Sequence, residues 1–192
     1  MDNAPTWRGD EGSTYQAWEF NAFPNDQTAI APDDVQNSFG GATLGVSAEA
    51  VLLPQYQLRS GVWRVNSTGV MSIDIQNTDN TGPDTWKEIW LQIIYTDPGG
   101  AGFDVPIATD PSFAFVDAFE RVGRDELANG YFLDTYKIIL EPNPPEERIE
   151  LRSIQENVYI SAVAVDTKCI PEPASLCLLG VGVLGLLRKR RA

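Results

Sequence analysis

The sequence predicts an all-β fold, an antiparallel two-sheet sandwich of jelly-roll type, carrying a C-terminal transmembrane helix. Two observations predict the sandwich. Between residues 15 and 167 the chain repeats short segments rich in Val, Ile, Phe, Tyr and Trp, each closed by Gly, Pro, Asn or Asp, which is the punctuation of strands and turns. The helices that parallel βαβ crossovers require are missing, so the strands must be joined as antiparallel neighbours. A third observation, an uncharged run near the end of the chain, predicts the helix. With 192 residues, 43% hydrophobic and 21% charged, the chain can bury one core and is too short for two full domains.

Taken in order, Tyr15 to Phe20, Leu44 to Ala48, Val51 to Leu58 and Val62 to Val65 read as strands, with the polar stretch Asn21 to Ala42 as a long surface loop or arm. Gly69 to Gln76 alternates Met71, Ile73 and Ile75 with Ser72, Asp74 and Gln76, so one face meets a core and the other meets water. Lys87 to Thr96 sets Ile89, Leu91, Ile93 and Tyr95 on one face but Trp90 and Ile94 on the other, the pattern of a strand covered on both sides. Phe103 to Ile107 is a further strand. From Pro111 to Asn129 a helical turn competes, because Phe115, Ala118, Phe119 and Val122 approximate helical spacing before Gly130. Tyr131 to Leu140, Arg148 to Ile154 and Asn157 to Thr167 complete about ten strands. The last is apolar on both faces and, like 87–96, is expected at the centre of a sheet. No internal repeat is visible, which excludes a solenoid or propeller.

Charge narrows the function. Lys and Arg total 14 against 27 Asp and Glu, and the resulting −13 repels phosphate backbones, so no nucleic acid is expected as a partner. There is no His, which removes Ser-His-Asp and Cys-His catalysis and His-ligated zinc. Arg188, Lys189, Arg190 and Arg191 crowd the C-terminus; without them and Glu172 there remain 10 basic and 26 acidic residues, so the body carries −16 and the tail +3.

Ala174 to Leu187 holds no charge and is greasy around the whole helix, whereas a buried core helix would show a polar face. It spans roughly 21 Å of a ~30 Å hydrocarbon core. Pro171 and Pro173 stop a helix from extending upstream and are expected to keep the segment out of the last strand of the body. The basic cluster stays cytoplasmic under the positive-inside rule, which places the body outside the cytoplasm. The chain then divides into an extracytoplasmic sandwich, 1–168, and a terminal signal, 169–192.

The order Pro171-Glu172-Pro173, apolar helix, Arg-Lys-Arg-Arg resembles the PEP-CTERM sorting signal of Gram-negative bacteria. The resemblance covers about the last 22 residues. It implies recognition of Pro171, Glu172 and Pro173 by a membrane exosortase, transient residence in the inner membrane, removal of the tail, and delivery to the cell surface or extracellular matrix of an exopolysaccharide producer. A protein sorted in this way must first cross the inner membrane, so an N-terminal signal peptide is expected upstream, since residues 1–30 contain no apolar core.

Few motifs in the body carry chemistry. Asn77, Asp79, Thr81 and Glu88, with Gly82 at the sixth position of the loop, match the spacing of a calcium-binding EF-hand loop, whose hard oxygen ligands wrap the ion. The flanking strands and Pro83 favour a plain hairpin loop; calcium is the one cofactor the sequence leaves open. Glu146, Glu147, Asp117 and Glu120 are the carboxylates that a polysaccharide-active hydrolase would draw on, against which stands their reading as solvated surface charge. Asn66-Ser67-Thr68 reads as a turn. Cys169 and Cys177 provide no disulfide framework. Of the five tryptophans, Trp63, Trp86 and Trp90 fall in or beside strands and Trp7 and Trp18 on the N-terminal arm; an exposed pair would make a platform for sugar rings. The expectation is a non-enzymatic structural or adhesive surface protein in contact with glycan, with the hydrolase as the alternative.

Overall fold

A computed structural model describes residues 4–20, 27–76, 85–99, 105–109, 116–144, 146–153 and 157–171. They form β1 (Ser13–Trp18), β2 (Asp34–Gln36), β3 (Ala42–Val46), β4 (Val51–Tyr56), β5 (Arg59–Val65), β6 (Val70–Gln76), β7 (Thr85–Thr96), β8 (Ile107–Thr109), β9 (Val116–Ala118), β10 (Glu120–Glu126), β11 (Phe132–Leu140), β12 (Glu146–Arg152) and β13 (Val158–Pro171), with a 3-10 turn at Ala128–Gly130. The larger, eight-stranded sheet runs β10-β11-β7-β13-β1-β2, with β5 also on β13 and β4 on β5; the smaller runs β3-β6-β12-β8-β9. The pairings are antiparallel, so the expected two-sheet antiparallel sandwich is present.

Period-two alternation builds the core. The large sheet turns Trp18, Trp63, Ile89, Leu91, Ile93, Val163 and Val165 inward, and the small sheet answers with Leu44, Met71, Ile73, Ile75, Ile149 and Leu151; all belong to one buried cluster. Burial of one such side chain is worth about 1.5–3 kcal/mol, and truncation to Ala costs about 2–5 kcal/mol because a cavity remains.

β13 is the spine of the large sheet. Along one side it pairs with β7 from Tyr159↔Thr96 to Pro171↔Thr85, with a register shift between Ile160 and Ala162. On its other side β5 takes Val158–Ile160 and β1 takes Val163–Lys168. Its run of β-branched residues and alanine suits a strand with neighbours on both edges. The two strands expected at a centre, β7 and β13, are therefore partners of each other.

Three expectations are corrected. The helical turn between residues 111 and 129 is confined, where described, to the 3-10 turn that begins at Ala128, and the described residues with the helical spacing fall in or beside β9 and β10. A register shift between Arg121 and Gly123 sets Val122 outside the ladder, and one extra residue in a strand breaks strict alternation into something that resembles a helical period. Within the supposed loop 21–42, β2 pairs with β1 and Ile30 bridges Leu44. Pro171, expected outside the last strand, is its final residue. The amide of Cys169 points to the β1 side, where it donates to Gly12 O at 3.2 Å. Alternation points the nitrogen of Pro171 the same way, beyond the end of β1 at Ser13↔Lys168, so its missing N–H costs no ladder bond.

The expected helix 174–187 lies outside the described residues. Among those described, no helix is long and apolar enough to cross a membrane.

Candidate functional site

The sequence-derived site begins where β13 ends. Its first residue, Pro171, sits opposite Thr85; Glu172, Pro173, the anchor ends Ala174 and Leu187, and the basic cluster Arg188 to Arg191 lie outside the described residues. No spacer separates the central strand from the motif.

Around that exit, alternation sorts the side chains onto two faces. On the inner face Lys87 Nζ meets Glu147 Oε2 at 2.9 Å with both side chains fully buried. Cys169 is buried beside them and accepts a hydrogen bond from Asn143 Nδ2 at 3.3 Å. Burial pushes its thiol up, against the nearby Lys87 and the Asn143 bond, so it stays protonated and unreactive in the folded body.

On the outer face Trp86, Glu88 and Trp90 alternate along β7. Register places Ile170 beside Trp86, Lys168 and Ile139 beside Glu88, and Lys137 beside Trp90. Glu88 gathers this face: Trp90 Nε1 donates to its Oε1 at 2.5 Å, Trp7 Nε1 to the same oxygen at 3.2 Å, and Lys137 Nζ lies 3.1 Å from Oε2. Burial works to raise the pKa of Glu88, but the donors of Trp90, Lys137 and Trp7 prevail and hold it below the usual carboxylate range.

Trp7 arrives on a tight N-terminal turn, closed by Arg8 N to Pro5 O, Asp10 N to Trp7 O and Ser13 N to Asp10 O. Gly12, at φ +77°, takes the left-handed conformation that ends this turn. The next residue, Arg8, grips Asp166 through two bonds of 2.5 and 2.7 Å and lies 3.9 Å from the ring centroid of Tyr15. The turn thus closes over the outer face.

The outer face of the small sheet is of a different kind. Thr43, Asp74, Arg148 and Thr109 form one cross-strand row, with Gly45, Ser72 and Glu150 in the next. A shallow groove of about 380 Å³ runs here, lined by Thr43, Asp74, Gln76, Glu146 and Arg148. Arg148 forks onto Asp74 at 2.7 and 3.0 Å. Among the described residues no aromatic side chain lines it.

The other sequence candidates are scattered. Asn77, Asp79 and Thr81 lie outside the described residues, and Glu88, the remaining calcium candidate, is engaged by Trp7, Trp90 and Lys137. Asp117 and Glu120 are exposed on β9 and β10, in different sheets; Glu146 is exposed on β12, and Glu147 is sealed against Lys87. Asn66 Oδ1 accepts from Thr68 N, Thr68 Oγ1 and Gly69 N, which is the expected turn. Trp18 and Trp63 are core, while Trp7, Trp86 and Trp90 are half-buried. What sequence reading missed is Glu88 as the hub. Its local signal is Trp86-Lys87-Glu88-Ile89-Trp90, two indoles and a carboxylate on one face of a strand.

Residues 170–191 match the family model of the PEP-CTERM protein-sorting motif. Two of them, Ile170 and Pro171, belong to β13. No curated protein sequence matches the chain. Among solved structures the chain is similar to the CBM22-1 xylan-binding domain from Paenibacillus barcinonensis Xyn10C, 12% identical, with 82% of this chain and 94% of that one covered and a TM-score of 0.43.

Proposed function

We propose that this is an exported protein, sorted through its PEP-CTERM segment and processed by an exosortase, whose body serves a non-enzymatic, structural or adhesive role at the cell surface or in an exopolysaccharide matrix. The observation that carries the reading is the sorting motif at 170–191, attached without a spacer to the spine of a rigid sandwich. PEP-CTERM proteins are exported, which implies an extracytoplasmic body, and the −16 of residues 1–171 suits a soluble surface domain. The polar row on the small sheet supplies the contact: Thr43, Gln76 and the Arg148–Asp74 fork present donors and acceptors to a hydroxyl-rich chain from strands that need not rearrange.

Expression of the full chain behind a cleavable export signal in an exosortase-bearing Gram-negative host tests the reading. Surface protein of reduced mass is expected, and Glu172→Gln is expected to leave the full-length form in the membrane. Unaltered processing of Glu172→Gln would reduce the segment to a spacer. Purified surface material mixed with matrix polysaccharide should be retained without sugar release; oligosaccharides in the supernatant would replace adhesion by hydrolysis.

A further inference from the structure

The outer face of the large sheet carries an apolar patch at the point where the chain leaves for its sorting segment. Trp86 stands beside Ile170, and Trp90, Trp7 and Ile139 surround the same carboxylate. Ile139 is 49% exposed, one of few large hydrophobic side chains left open among the described residues. Two lysines frame the patch. Lys137 lies 5.9 Å from the Trp90 ring and Lys168 6.0 Å from the Trp7 ring.

We propose that this patch docks the body on the headgroup region of the same membrane that receives residues 174–187, holding the outer face of the large sheet against the bilayer until the tail is removed. The inference rests on the export reading above. Three features of the patch select a lipid surface as its occupant. First, β13 ends at the patch, with Ile170 opposite Trp86, and only Glu172 and Pro173 stand in the sequence between Pro171 and residue 174, so a membrane holding 174–187 lies within a few residues of the patch. Second, indoles and lysine stems suit an interface that is apolar on one side and wet on the other, where Trp is enriched and ammonium groups reach phosphate. Third, the body as a whole is strongly acidic and would be repelled by anionic lipid, but two acids of the patch are already neutralised: Glu88 by Lys137, and Asp10 by Lys168 at 2.7 Å. This part of the acidic body is thus able to approach.

The tryptophans supply the test. Trp18 and Trp63 are fully buried, so only Trp7, Trp86 and Trp90 can meet lipid. The full chain is reconstituted into phosphatidylethanolamine/phosphatidylglycerol vesicles whose acyl chains are brominated near the headgroup, or near the methyl end, and floated on a density gradient. Bromination near the headgroup should remove roughly half of the emission, since three of the five tryptophans lie at the patch, and bromination near the methyl end should remove less. Trp86→Phe/Trp90→Phe, which keeps an aromatic ring at both positions, should lose most of that quenching.

Vesicles that float with the chain but leave its emission unchanged would overturn the docking and spare the export reading. A chain that fails to float would overturn both. Emission that shifts with matrix polysaccharide while staying blind to bromine would turn the patch into a glycan platform and likewise end the proposal.

Discussion

The two sheets use the same device in opposite settings. In the large sheet Arg124 forks onto Asp134 at 2.7 and 2.7 Å and Arg8 onto Asp166 at 2.5 and 2.7 Å; in the small sheet Arg148 forks onto Asp74 at 2.7 and 3.0 Å. By geometry the three are nearly equal. By environment they are not: Asp134 and Asp166 are fully buried, whereas Asp74 is 44% exposed. A charge already withdrawn from water depends on its partner, and one still in water does not. The forks of the large sheet therefore hold charge inside the structure, and the fork of the small sheet wears it as a surface.

Removal of a buried cation should show this most strongly. Lys87→Ala leaves the Glu147 carboxylate in the interior without its ammonium, and should cost about 3–5 kcal/mol, read from the shift in urea midpoint of the full chain in detergent. Lys87→Met/Glu147→Leu removes both charges and keeps the volume, and should fall within about 1 kcal/mol of the parent. If the double variant were as unstable as the single one, the pair would be contributing more than mutual neutralisation.

Asp134→Asn comes next, at about 3 kcal/mol near neutral pH. Asp134 also accepts from Tyr95 Oη at 2.9 Å and Tyr136 Oη at 3.1 Å, while Arg124, 38% exposed, recovers some hydration once freed. Burial works to raise the pKa of Asp134, but Arg124 and the tyrosine hydroxyls outweigh it and hold it below the usual range. A depressed carboxylate stabilises above its unfolded pKa of about 4 and loses that contribution as pH falls through the folded value. Asp134→Asn should therefore flatten the acid limb of the stability curve.

Asp166 has the opposite sign. Its burial outweighs the pull of Arg8 and the folded pKa is raised, so the folded state takes up a proton more readily and gains stability as pH falls from that value toward about 4. Asp166→Asn should cost only about 1 kcal/mol at neutral pH and should steepen the acid limb. Urea midpoints between pH 2.5 and 6 compare the two variants, and parallel curves would erase the distinction drawn between these forks.

How far the sequence disclosed this contrast depends on which side chains carry it. The alternation of Met71, Ile73 and Ile75 with Ser72, Asp74 and Gln76 made the polar face of the small sheet legible, because one strand states both faces of its sheet. Trp90 and Ile94 opposite Ile89 and Leu91 likewise announced that β7 is covered on both sides. β10 was hidden. It is an edge strand of Glu, Arg and Asp with few apolar residues to report a period, and its bulge at Val122 scrambled the rest. The three-residue β2, exposed throughout, carried no signal. At the exit of β13 the sorting motif could be read because it is contiguous. The Glu88 hub could not, since Trp7 and Lys137 reach it through β-register and a folded N-terminal turn, and pairing between distant strands has no local spelling.

The smallest stability effect belongs to the fork that the proposed function uses most. Arg148→Ala should shift stability by less than about 1 kcal/mol, because both partners stay hydrated and the exposed pair gains little from its geometry. Arg148 and Asp74 nevertheless line the groove on the small sheet, where their donors and acceptors face outward. Retention on matrix polysaccharide should fall several-fold in Arg148→Ala, while Asp166→Asn, which costs more stability, should be retained like the parent. The two measurements are expected to rank the variants in reverse order. A common ranking would mean that retention follows the integrity of the sandwich and that the groove takes no part in it.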